Sequence, residues 1–590
     1  MIKKIKHEKK LFQRVLLIGF ILDVILIRSI GFFNQIGPKR MILLVCILVF
    51  FLVINPIFAC LFPSYGKVYH KIMDNFSKAK ENLVLNKTRL AILVALYFIE
   101  IGCAVFIKKI IISDALSYRM GKSGLIWLIV VSWLITFLLV FRSHIVEKLH
   151  VVFFVVVIMI GSSFIITSPP IVGVAPDDEI HYEKSLMLAN GFDRAQYTAD
   201  GVVISEYAIH IGEHSMYDRE SRGAYLTQIE KLYKSKEQTP FMDFKYSIVH
   251  FGYIPMAVGI TIGRALSLGW KYTFWLGKLF NLMTYATLIS IGIKKLRYGK
   301  LLCAVVGLIP TSIFLASSYN YDAWVTSWII LGFSYFFSTL QDDNKSETDL
   351  YKSLLFITIG CLPKAVYFAV LFPFLFVGVS YFKNKKSEVA FKLSTIGAAA
   401  LLILSFTIPM IVTRGAVRTD ARGGSAVDSG GQIAYMIANP FKAVDNILRF
   451  VINLISVENS PRDIYQNFAY MGNGKYYVLI LLLVVVAGFI DKMPYAKKYI
   501  WVRLTGLIGL FGSVVLIALA LYVSFTPVGA ASVAGVQPRY LIPLVYPAIM
   551  YISPEGVELK FNKENFYAVF VGILAIIFML NIYSLSNSLY

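Results

Sequence analysis

Apolar runs of roughly 18 to 25 residues recur along the whole chain, each long enough to cross a hydrocarbon core of about 30 Å as a helix. A backbone that crosses lipid must satisfy its own polar groups, so such runs fold as helices rather than as open strands or loops. They are expected near 11–30, 41–63, 88–107, 124–141, 150–168, 272–293, 299–317, 322–340, 352–362, 364–382, 391–413, 475–491, 500–525, 539–553 and 565–585. The stretch 248–268 is apolar as well, but Pro255 and several glycines interrupt it. With 57% hydrophobic residues, 16% charged ones and a mean hydropathy of +0.68, the composition excludes a soluble enzyme. The expectation is an all-α polytopic membrane protein with about 14–16 helices.

Lys and Arg number 57 against 35 Asp and Glu, a formal net charge of +22. In a soluble chain that excess would suggest nucleic acid, but in a membrane protein basic residues gather in cytoplasmic loops. Lys3, Lys4, Lys6, Lys9 and Lys10 place the N-terminus in the cytoplasm, and alternation brings Lys67, Lys71, Lys78, Lys80 and Lys87 to the same side. The first span carries Asp23 and Arg28 and lacks a small-residue cleavage site, so it reads as uncleaved. Five crossings put the loop 169–247 outside, with 13 acidic and eight basic residues. Lys294, Lys295, Arg297 and Lys300 must then return inside, which requires that 248–268 not cross; it is assigned as a re-entrant or interfacial helix on the outer side. Lys383, Lys385, Lys386, Lys492, Lys497 and Lys498 then also fall inside, while Lys108, Lys109, Arg119 and Lys122 run against the pattern.

This topology gathers several polar motifs on the outer face. Pro176-Asp177-Asp178-Glu179-Ile180-His181 directly follows the span 150–168. Three crowded carboxylates repel one another and raise at least one proton affinity, which suits a general base or a cation ligand. The same residues suit a helix start, with Ile180–Asn190 and Gly191 reading as a short capped helix, and both roles stand open. Ser317 to Asp322 forms a polar turn between apolar blocks, where Asp322 either assists a site or caps the next helix. Lys364 and Arg539 defy the inside preference for positive charge; an Arg fork or a Lys point charge matches phosphate, whereas snorkelling is the plainer alternative. Arg264 and Lys278 add to the positive field or snorkel. The Gly-rich segment 423–431 lies on this face too, and 432–455, with apolar residues on a helical period and Pro440 near its middle, fits an interfacial helix. His210 and His214 have helical spacing but no third ligand for zinc. All five cysteines lie in apolar stretches, which argues against a disulfide framework. No Walker A, Rossmann or Ser-nucleophile pattern stands out.

Taken in order, these residues resemble the DUF2142 family of prokaryotic membrane proteins, placed in the GT-C clan of glycosyltransferases. The matches are Pro176 through His181, Tyr253-Ile254-Pro255 with Gly263-Arg264, Asn320-Tyr321-Asp322, Pro363-Lys364, and Thr526-Pro527-Val528-Gly529 with Gly535 to Tyr540. Asp178 stands where Glu is usual, Pro538 where Gly is common and Lys278 where Arg is frequent. The resemblance implies a GT-C-like core over 142–553, with outer loops 169–247 and 414–474, added N-terminal helices over 1–141 and a last helix within 554–590.

It also implies an inverting glycosyltransferase that takes a sugar from a polyprenyl-phosphate donor. Asp177 would be the base, Asp178 would position the acceptor or a cation, and Lys364 and Arg539 would neutralise the departing phosphate. Glu179, His181, Arg264, Asp322 and Tyr540 would support the site. The partners would be the lipid donor, a cell-envelope glycan or lipid-linked acceptor and the bilayer, with a divalent cation as an optional addition. The alternatives are a transporter of a lipid-linked sugar and a non-catalytic assembly partner that uses the N-terminal helices. The expected setting is the cell membrane, with the active face extracytoplasmic.

Overall fold

The computed structural model describes residues 9–588 except 31–44, 62–86, 110–121, 211–218, 243, 245–246, 342–345, 413–425, 456–459, 491–498, 536 and 553–561. The N-terminal lysines up to Lys6, the basic positions 67–80, Arg119, His214, 423–425 and Lys492 to Lys498 lie outside the described residues. Among those described, nine helices are long and apolar enough to cross a membrane, and the fold is an all-α polytopic membrane protein. Its one described sheet is a short antiparallel pair, β1 (Ala195–Tyr197) with β2 (Gln238–Pro240), in register Gln196 opposite Thr239.

The centre is built from α1 (Leu149–Thr167), α2 (Asp178–Ala189), α3 (Ile254–Ala265), α4 (Trp270–Lys295), α5 (Asp322–Gln341) and α6 (Glu347–Cys361). Around them stand α7 (Lys385–Val412), α8 (Ile500–Ser524) and α9 (Ile542–Ile552). One set of helix ends meets at a basic face. There Ser290 donates to the His150 carbonyl at 2.9 Å, Lys295 pairs with Asp349 at 2.6 Å, and Gln341 accepts from the amides of Arg297 and Tyr298. At the opposite end of α5, Asn281 from the middle of α4 donates to the carbonyls of Ser318 and Asn320 beside Asp322. This second end is the cavity face.

Three stretches differ from the single helices or breaks expected of them. The run 299–317 divides into Lys300–Gly307 and Pro310–Ala316, because Pro310 lacks the amide to continue a helix yet suits the first turn of a new one. Residues 301–316 are buried throughout, so this pair is enclosed by protein rather than lipid. The apolar stretch at 248 is helical from Ile248 to Ala265, with Pro255 accommodated in the first turn of α3 instead of breaking it. Gly259 of α3 lies against Leu276 and Gly263 against Thr273, so α3 runs antiparallel to the early part of α4 and stays in the half of the protein away from Lys295. Its length and composition alone would let it span.

Lys364 has φ −136° and ψ 69°, which interrupts the helical run Glu347–Phe376. The chain turns back there. Trp324 donates to Ile359 near the start of α5, and the 3-10 limb Leu362–Phe376 returns along α5 until Phe374 stacks on Phe336 at 4.5 Å. The reversal puts Pro363-Lys364 beside Asp322.

Segment 432–455 also divides at a proline, into Ser429–Ala438 and Pro440–Ile455. The second helix buries Ala443, Ile447 and Val451 and exposes Phe441, Val444 and Ile452. Asn446 donates to Tyr522 and to the Ala530 carbonyl, which fixes this helix at the cavity end of α8.

Candidate active site

The loop from Ser168 leads to Asp177, whose backbone is left-handed at φ 55°. For a residue with a Cβ that conformation costs about 1 kcal/mol, and here it turns the chain into α2. Asp177 makes no side-chain cap bond to the helix it precedes, and its side chain borders a cavity of about 860 Å³. Asp178 does the opposite. Its carboxylate turns back and accepts from the amides of Gly173, Val174 and Ala175 at 2.5, 3.2 and 3.1 Å, and the residue is 1% exposed. Burial pushes it up to about 6, against the pull of Lys278 and the three amides. Expected as a second catalytic carboxylate, Asp178 is instead the knot that closes the loop behind Asp177.

On the next turn of α2, His181 faces the same cavity. Its Nδ1 lies 2.9 Å from the Tyr253 hydroxyl, and its ring meets Tyr321 edge-on at 5.0 Å between centroids. Burial lowers the imidazole to about 4, so it is uncharged at neutral pH. Tyr253 reaches this place because the preceding segment approaches the Pro363 turn closely. A Cβ at Gly252 would come within 2.7 Å of the Tyr321 Cβ and 2.9 Å of the Pro363 ring.

Across the cavity stand two cations on one carboxylate. Lys364 Nζ donates to Asp322 Oδ1 at 2.7 Å, and Arg539 Nε lies 3.3 Å from Oδ2. Tyr540 adds its ring face to Lys364, 3.7 Å from Nζ to centroid. Burial disfavours the Arg539 guanidinium, but Asp322, Tyr540 and Asp177 together outweigh it and raise its pKa above the ordinary value. Arg539 is aimed by a turn at Gly535, φ 78°, where a Cβ would collide with the Phe525 ring. The sequence leaves Asp322 either to assist the site or to cap α5. The amide of Asp322 is in fact bonded by Asn320 Oδ1 at 2.6 Å, which frees the Asp322 carboxylate for the two cations.

The family model described as a predicted membrane protein, DUF2142, matches residues 158–547, about two thirds of the chain. The chain belongs to the DUF2142 family. Neither a curated protein nor a solved structure matches it.

The matched region of this DUF2142 protein runs from α1 into α9 and contains every residue at the cavity. Asp177, His181, Asp322, Lys364, Arg539 and Tyr540 are brought together around one space. Arg264 is not among them. It is 1% exposed and donates to Asn190 at 2.5 Å and Asp200 at 3.4 Å, while Asp200 also accepts from Tyr182 and Trp270. That network fastens the 169–247 segment to the α3–α4 hairpin. Glu179 is half-buried and does not border the cavity, and Lys278 is buried beside the Phe274 ring. Among the described residues no three His, Cys, Asp or Glu side chains form a metal-binding group; a cation at the cavity would draw on Asp177, His181 or Asp322.

Lys184 and His250 border the cavity without having stood out in the sequence. Lys184 had a readable signal, since 177, 181 and 184 follow the helical i, i+4, i+7 spacing. His250 had none, because it enters through the 3-10 turn Ile248–Tyr253 in a stretch that reads as hydrophobic.

Proposed function

We propose that this DUF2142 protein is an inverting membrane glycosyltransferase that moves a sugar from a polyprenyl phosphate to an envelope glycan or lipid-linked acceptor on the extracytoplasmic side. The observation that carries the reading is the opposition, across one cavity, of the Asp177 carboxylate and the Lys364–Asp322–Arg539 cluster. An acceptor hydroxyl entering beside Asp177 gives up its proton to that carboxylate as its oxygen bonds to the anomeric carbon. The bond from that carbon to the phosphate oxygen breaks, and the electron pair leaves with the polyprenyl phosphate. Charge grows on the departing oxygen, and Lys364 and Arg539 are positioned to stabilise it. Neutral His181, tied to Tyr253, keeps the space between base and cations free of a competing charge.

A transporter reading is less well supported, because it asks for charged sites along a path between faces, and the charged residues of the cavity gather at one face, beside the start of α5 and the end of α8. The test is direct. Purified protein given a polyprenyl-phosphate sugar and an envelope acceptor should release polyprenyl phosphate, and Asp177→Asn should stop release while the protein remains folded. Undiminished turnover in that variant removes Asp177 as the base.

A further inference from the structure

A second cavity, of about 340 Å³, lies among the spanning segments and is lined by Phe368, Phe372, Ile396, Ala399, Ile508 and Gly512, with other apolar neighbours. These residues come from the 3-10 limb, α7 and α8. The same three elements border the polar cavity through Val366, Ser405 and Ile517. At 1.5 Å rise per residue, Ala399 is about 9 Å along α7 from Ser405, and Gly512 about 7.5 Å along α8 from Ile517. The apolar cavity therefore begins one to two helical turns below the polar one, towards the basic face. Its α7 wall is open to lipid, since Leu393, Ile396 and Leu401 are each more than half exposed.

We propose that this groove holds the hydrocarbon tail of the lipid whose phosphate is held at Lys364 and Arg539, and that the tail is a single linear isoprenoid chain. The inference rests on the function proposed above and gives it a second half. A lipid anion seated on the cations must leave its tail somewhere apolar, and the groove lies one to two helical turns from the cation site on the same three elements. Small residues keep it open. A Cβ at Gly512 would meet nothing closer than the Ala369 Cβ at 3.6 Å, so a larger side chain there enters the groove without displacing backbone. Phe368 and Phe372 line it with aromatic, apolar surface.

The wild-type protein should be irradiated with a polyprenyl phosphate carrying a diazirine in the head-proximal part of its tail. The expected adducts lie within 366–376, 395–405 and 508–517, and unlabelled polyprenyl phosphate suppresses them. In a parallel binding measurement, Gly512→Leu and Ala399→Phe should each weaken a long-chain polyprenyl phosphate by tenfold or more and leave dimethylallyl phosphate unchanged. Adducts confined to other helices overturn the proposal, as does equal affinity of the wild type for long and short phosphates. The labelling arm needs no altered protein, so a variant that fails to fold does not protect the idea. Adducts in the groove from a protein that releases no polyprenyl phosphate in the transfer assay would support the tail site and remove the transferase reading instead.

Discussion

Asp177 and Asp178 are bonded neighbours whose carboxylates serve opposite sides of one loop: Asp177 borders the cavity, and Asp178 ties down the amides of Gly173, Val174 and Ala175 behind it. The buried knot fixes where the loop ends, and the left-handed turn at Asp177 directs the chain into α2. Under the proposed function, position and chemistry are thus divided between adjacent residues.

Substitutions at the two sites should therefore separate activity from stability. Asp177→Gly accommodates φ 55° without strain, so its melting temperature in detergent should equal or exceed that of the wild type while sugar transfer is lost. Asp178→Ala strands three buried amides and should cost about 3 kcal/mol or more, seen as a lower melting temperature. An Asp178→Ala protein as stable as the wild type but inactive would move the base to Asp178.

His181 gives the fold a dependence on pH. Burial lowers its pKa from 6.5 to about 4, so between those values the unfolded chain binds a proton that the folded protein does not. Stability from this group is complete above pH 6.5 and falls as the pH drops towards 4, by about 3 kcal/mol in all. Asp178, raised to about 6, acts with the opposite sign over 3.8 to 6 and blunts the loss there. His181→Gln should retain a bond to Tyr253 and remove the His contribution. Melting temperature followed from pH 7.5 to 4.5 should fall more steeply for the wild type than for the variant, and parallel curves would refute the assignment.

Much of this was legible because the site is made where helices begin and end. The motifs around Asp177, Asp322, Lys364 and Arg539 are polar punctuation between long apolar runs, and alternation of spans carries all four to one face. What a hydropathy pattern lacks is direction. Asp177 and Asp178 look equivalent in sequence, and only the loop's fold turns one to the cavity and the other to backbone. Asp322 reads as a helix cap until Asn320 is seen to take that bond. Arg264 reads as a cavity cation because its partner Asp200 lies 64 residues away in a segment without hydropathy signal. The enclosed pair at 300–316 reads as one lipid-facing span because apolar length does not report what surrounds it.

Asp322 should prove to be a counter-charge that phosphate displaces. Its carboxylate holds both Lys364 and Arg539, and Asp322→Asn leaves the two cations short of negative charge. Breaking a buried pair in this way costs about 3–5 kcal/mol, so the variant should melt well below the wild type. An anionic ligand that restores the charge should then stabilise the variant more than the wild type. The measurement is the rise in melting temperature with added polyprenyl phosphate, and an equal rise in both proteins would show that Asp322 does not compete with the ligand.

Arg539 differs from Lys364 in what it presents. Lys364 is a point charge already bonded to Asp322 at 2.7 Å, whereas Arg539 approaches the carboxylate through Nε at 3.3 Å and has Nη1 without a hydrogen-bond partner among the described residues, which leaves part of a planar fork for a second anion. Two phosphate oxygens can be met by that fork and not by an ammonium. Arg539→Lys should therefore keep the charge yet weaken donor binding by about 1.5–3 kcal/mol, roughly tenfold to hundredfold in donor KM. Arg449→Lys is a fair control, being an exposed residue paired with Asp445 on its own helix, and should change nothing. Arg264→Lys should lower stability through the Asp200 network without altering donor KM. If Arg539→Lys behaves as Arg449→Lys does, the guanidinium is anchoring its own turn through Asp322 and the phosphate is held elsewhere.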